Sequence, residues 1–211
     1  MENVIVVEHP LVQDKLTRLR DVKTGSMDFR LTLKELSALM AFEVTRDIES
    51  RKVSVTTPLD MAAEGLMVEN SEIVLIPILR AGIGMVDGVL ELLPQARVGH
   101  IGLYRDPETL EAVEYYKKLP SNIASCQMAI LIDPMLATGH TIVEALNICR
   151  SSDVKDIRIM CLVAAPEGIN EVRKHYKDIS IFTAAVDECL NDHGYILPGL
   201  GDAGDRIFGT K

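Results

Sequence analysis

The chain has 211 residues, 47% of them hydrophobic and 25% charged, with a formal net charge of -9. That length suits one α/β domain, and a single domain over residues 1–211 is expected. The acidic balance argues against a nucleic-acid partner held by counterion release. No stretch approaches the about eighteen apolar residues of a membrane span. MENVIVVEHP lacks the basic start of a signal peptide, so a cytoplasmic chain with no membrane partner is expected. The cysteines at 126, 149, 161 and 189 form no C-x-x-C pair, and Cys126 and Cys161 sit in apolar runs as small hydrophobes.

In chain order, residues 31–50 place Leu33, Leu36, Met40 and Val44 on one stripe and predict a long N-terminal helix. EIVLIPIL (72–79) is continuously apolar, as a strand buried on both faces should be, and a helix from Met85 to Leu93 follows it. VGHIGLY (98–104) and CQMAILI (126–132) are further strand candidates. Thr141 to Arg150 aligns Ile142, Val143, Leu146 and Cys149 on a helical face. IRIMCLVAA (157–165) predicts another strand, 167–176 a helix entered through Ala-Pro, and ISIFTAAV (179–186) a last strand. The tail, 191–211, carries five glycines and a proline and is expected to be mostly irregular. Strands alternating with helices give an α/β fold whose central sheet is mainly parallel.

Ligands of such a sheet lie outside the carboxyl ends of its strands. Arg80, Arg105 and Asp133 each follow one of the apolar runs. ILIDPMLATGHT (130–141) reads as a strand, a carboxylate, a small-residue loop and a helix start. Backbone N–H groups there, with the Thr138 and Thr141 hydroxyls, suit a phosphate, although a lone T-G-x-T is equally an ordinary capped turn. The Asp133 carboxylate would repel phosphate and should meet sugar hydroxyls or a metal. Gly82, Gly84 and Gly88 give G-x-G-x-x-x-G, which departs from the dinucleotide fingerprint, and no acidic residue ends a strand some twenty positions on. Arg80 fits better as a planar donor to phosphate. In the tail, Ile196, Leu197 and Leu200 interleave the glycines, so backbone groups there could read a flat heterocycle. No two histidines stand at metal-ligand spacing; His193 and His140 read as ordinary.

PILRAGIGM (77–85), GLYRDPETL (102–110), EYYKKLP (114–120), LIDPMLATG (131–139), AAPEGI (164–169) and NDHGYILPGLGDAGDRIFGTK (191–211) resemble the uracil phosphoribosyltransferases, among the type I phosphoribosyltransferases. EHPLVQDKLTRLRD (8–21) is also similar. The resemblance implies that uracil and 5-phosphoribosyl diphosphate (PRPP) give UMP and diphosphate, with Mg2+ carried mainly by PRPP rather than by a dedicated protein site. It assigns PRPP binding to Arg80, Arg105, Asp133, Pro134, Met135, Leu136, Ala137, Thr138, Gly139, His140, Thr141 and Asp202. Uracil falls to Ile196, Gly201, Asp202 and Ala203, and catalysis to Arg105, Asp133 and Asp202. The family often has Gly where His140 stands; here the His140 backbone N–H is expected to remain in the loop, with its ring at the flank. Members are commonly homo-oligomers and some respond to GTP, which makes GTP a candidate effector. The alternatives are a transferase for another base and a non-catalytic PRPP or nucleotide sensor on the same fold; the missing basic face argues against RNA binding by such a sensor.

Overall fold

The computed structural model describes residues 3–105 and 112–210 of the chain. The N-terminal half runs β1 (Val4–Val6), α1 (Pro10–Arg20), α2 (Ser26–Val44), β2 (Arg51–Thr56), β3 (Ala62–Met67), β4 (Ile73–Leu79) and α3 (Ile83–Leu92). Next come β5 (Arg97–Val98), β6 (His100–Arg105), β7 (Ala112–Lys118), β8 (Met128–Ile132), β9 (Met135–Leu136) and α4 (His140–Ser151). The chain closes with β10 (Ile157–Met160), β11 (Val163–Ala164), α5 (Pro166–His175), β12 (Ser180–Thr183), β13 (Ala185–Val186), β14 (Cys189–Leu190), β15 (Ile196–Leu197) and α6 (Ala203–Phe208).

The main sheet has the order β1-β12-β10-β8-β4-β6-β7, with β5 on β4. Every pairing in it is parallel except β6 with β7. The continuous apolar runs account for this. In β4, Ile73 and Leu75 join a core beneath α1, α2, α3 and α6, whereas Val74, Ile76 and Ile78 join a second core beneath α4 and α5. Alternate residues of a strand face opposite ways, so a strand covered on both faces must be apolar at every position.

Several boundaries differ from the sequence expectation. The long helix spans Ser26–Val44 rather than 31–50, with Asp28 in its first turn and the Thr45 hydroxyl donating back to the Ala41 carbonyl at 2.8 Å. The runs at 157–165 and 179–186 are each divided into two strands. After β10, the Leu162 and Val163 N–H groups both turn to the Pro134 carbonyl, at 2.9 and 3.2 Å. β13, β11 and β9 then form a small parallel sheet beyond the carboxyl ends of β12, β10 and β8. The β2–β3 hairpin gave no signal, because its residues stay largely exposed and alternate weakly. The tail is more ordered than its glycines suggest: β15 pairs antiparallel with β14, and α6 packs against α2. No helix among the described residues is long and apolar enough to cross a membrane.

Candidate active site

Asp133 directly follows β8, and its N–H reaches the Met160 carbonyl of the neighbouring strand at 3.2 Å. One carboxylate oxygen accepts the Met135 N–H at 3.3 Å. Desolvation pushes the carboxyl up to about 7, against that single lowering contact. Pro134 is buried, and its carbonyl serves the 162–163 step; Leu136 O accepts the Ala165 N–H at 2.8 Å. Met135 and Leu136 are therefore held as β9 on β11, which fixes where the following loop begins.

Gly139 caps α4 in the left-handed region, at φ 86°, and no side chain caps the helix there. A left-handed position this close to neighbours needs glycine on two counts. A Cβ would sit 2.7 Å from the Gly168 carbonyl oxygen and 2.8 Å from the Glu171 Cβ. The helix N-terminus left without a capping side chain is an arrangement that suits an anion. His140 opens α4 with an exposed side chain. Lys174 chiefly, with His175 and His140, holds the Glu171 carboxyl below the usual range.

Arg80 follows β4, is 61% exposed at its side chain, and approaches Asp205 Oδ1 at 3.8 Å and the Phe208 ring at 6.0 Å. It stands beside the tail helix with most of its guanidinium open to an incoming anion. Arg105 enters as the last backbone position of β6; its side chain lies outside the described residues. The glycines after Arg80 serve packing: an added Cβ would strike the Ile132 carbonyl at Gly82, and the Lys34 carbonyl of α2 at Gly88.

The tail turns past a cis Leu197–Pro198 bond, with Gly199 and Gly201 at φ 62° and 77°. Asp202 caps α6, its carboxylate accepting the Asp205 N–H at 2.9 Å. Ile196 is 6% exposed and Ala203 fully buried, so these positions can offer a ligand little beyond backbone N–H and C=O groups. Arg206 fastens the segment by donating to the Leu200 and Asp21 carbonyls, each at 2.8 Å, and to Leu19 O.

A cleft of about 510 Å³ brings these parts together. Asp133, Met135 to Gly139, Thr141, Ile196 and Asp202 all line it. Pro134, His140, Arg80, Gly201 and Ala203 are not among its lining residues, although each adjoins one in sequence or stands beside the tail. His193 and Tyr195 line it too. His193 read as ordinary in the sequence and Tyr195 carried no role there; their place in the tail was the signal available for both. A second cavity of about 570 Å³ adjoins the tail, lined by Arg20, Thr24, Ser26 and Pro198 to Asp202, and shares Tyr195 and Asp202 with the first.

The family described as uracil phosphoribosyltransferase matches residues 6–210. The chain is 57% identical over 211 residues to the uracil phosphoribosyltransferase of Bacillus licheniformis, covering 100% of both. It is 56% identical to that of Dictyoglomus thermophilum, covering 99% of this chain and 100% of the relative. Among solved structures, the AQ2163 protein of Aquifex aeolicus superposes with a TM-score of 0.92 at 37% identity, over 99% of each chain. An adenine phosphoribosyltransferase of Leishmania donovani shares the fold at a TM-score of 0.61 and 15% identity, over 92% and 88%. The chain belongs to the uracil phosphoribosyltransferase family.

Proposed function

We propose that the chain transfers the 5-phosphoribosyl group of PRPP to uracil, yielding UMP and diphosphate in pyrimidine salvage. The observation that carries this reading is the single cleft in which Asp133 and the loop to Thr141 face Ile196 and Asp202 of the tail. One side offers a helix N-terminus to a phosphate, and the other offers backbone groups to a flat base.

In this reading the loop from Ala137 to Thr141 holds the 5-phosphate, and the Asp133 carboxylate accepts hydrogen bonds from the ribose hydroxyls. The bond from the anomeric carbon to the diphosphate oxygen breaks, and a bond to a uracil ring nitrogen forms with loss of that nitrogen's proton. Arg80 and Arg105 neutralise charge gathering on the departing diphosphate. Positioning and electrostatic stabilisation are the main contributions of the protein. Ile196, Gly201 and Ala203 read the base, and Asp202 stands where base and sugar meet.

Mg2+ carried mainly by PRPP would be held on the protein side by the Asp133 and Asp202 carboxylates, which line the cleft. When bound it supplies charge neutralisation on the diphosphate. A homo-oligomer is supported by the exposed apolar side chains of the hairpin, among them Val55, Leu59, Met61 and Leu66. GTP as an effector rests on the family alone. The reading is tested by UMP formation from uracil, PRPP and Mg2+, with and without GTP; no turnover above an enzyme-free control would overturn it.

A further inference from the structure

Asp187 follows β13 and is only 8% exposed. Its two oxygens accept from Arg20 at the end of α1, Nη2 to Oδ1 at 2.6 Å and Nη1 to Oδ2 at 2.8 Å. The same pair holds the tail backbone from both sides. Gly199 N–H donates to Asp187 Oδ2 at 2.9 Å, and Arg20 Nη1 donates to the Gly199 carbonyl at 2.7 Å. Gly199 therefore has both of its peptide groups tied to one ion pair, at a position of φ 62° between Ile196 and Gly201.

We propose that Arg20 and Asp187 are positioning residues for the base: their two-pronged pair sets the path of the Leu197–Gly201 turn and thereby the affinity for the pyrimidine, while leaving Asp202 to its place as the cap of α6 and the phosphate loop to other supports. The inference rests on the function proposed above. Two features separate the pair from general scaffolding. Gly199 lies inside the stretch that carries the base-reading positions. The loop from Asp133 to Thr141 is held elsewhere, through Pro134 and Leu136 on the 162–165 segment and through Gly139 on α5. A fork matching a carboxylate fixes orientation as well as distance, which a point charge does not.

The test is Arg20→Lys, which keeps a cation beside Asp187 and removes the fork, with Asp187→Asn as a second variant should the first not fold. The uracil KM is expected to rise about tenfold while the PRPP KM stays within about twofold. Amide hydrogen exchange is the readout independent of turnover. Exchange across Leu197–Gly201 should accelerate, with residues 133–141 unchanged. Equal shifts in both KM values, or exchange in the turn identical to that of the unaltered chain, would overturn the proposal. Absence of UMP formation by the unaltered chain would overturn the proposed function instead, and exchange would still decide the role of the pair.

Discussion

Gly168 packs its bare α-carbon against the backbone of Ala137: a Cβ there would overlap the Ala137 carbonyl oxygen and lie 2.8 Å from that of Leu136. The first residues of α5 thus form the floor beneath the candidate phosphate loop, and the loop's height above the sheet depends on there being no side chain at 168. Gly168→Ala is expected to raise the PRPP KM about tenfold or more, since small displacements of a positioning loop are costly. The uracil KM should move less. Unchanged PRPP kinetics in a folded Gly168→Ala protein would contradict this account of the loop.

Asp133 carries two pH predictions. With its carboxyl at about 7 in the ligand-free chain, kcat/KM for PRPP should rise with pH through that region as the acceptor form appears. Asp133→Asn should lower kcat/KM about a hundredfold and remove that limb of the profile. The stability effect has the opposite sense. A carboxyl raised in the folded state stabilises below its ordinary 3.8 and loses that contribution as pH rises through about 7. The Asn variant should therefore gain on the native chain between pH 5 and 8, by roughly 3 °C in Tm or more. Parallel Tm curves for the two proteins would rule this out.

Arg80 should behave as a ligand contact with little structural role. Among the described residues its ion pair with Asp205 is long, at 3.8 Å, and open to solvent on the Arg80 side, and such pairs contribute at most about 1 kcal/mol. Arg80→Ala is expected to leave Tm within about 2 °C and to weaken inhibition by diphosphate about tenfold. A large loss of stability with normal diphosphate inhibition would reverse the assignment.

Arg206 should show the opposite pattern. Its guanidinium lies 4.4 Å from the Phe29 ring centroid and serves carbonyls of both the tail and the α1–α2 connection. Arg206→Met keeps the apolar stem and removes the donors, at a cost of about 2 kcal/mol, or roughly 5 °C in Tm. Thermal unfolding followed by circular dichroism measures it, and an unchanged Tm would show that the clamp is dispensable.

The parallel sheet was legible in the sequence through its central strands β4 and β8, which are apolar at every position and buried along nearly their whole length. The strand, small-residue loop and helix start at 130–141 were legible as local structure. Less could be read where structure depends on distant partners. The divisions after β10 and β12 follow from the Pro134 carbonyl and the small sheet on β9, which no local pattern announces. α6 forms because Asp202 caps it and Ile207 fills the core against α2, in a stretch whose glycines suggested irregular backbone. Arg20 and Asp187 are 167 residues apart, and neither stands out alone. The assignment of the tail to a pyrimidine came from family resemblance, because backbone groups that read a base leave no side-chain signature.

The identity of the base decides the proposed function. A base-panel assay offers PRPP and Mg2+ with uracil, cytosine, thymine, adenine, guanine or hypoxanthine, and identifies the nucleotide formed. UMP should be the main product, with kcat/KM for uracil exceeding that for every other base about a hundredfold or more, as expected of a site that hydrogen-bonds its substrate's polar edge. A higher kcat/KM for any other base, or ligand binding without any nucleotide formed, would contradict it.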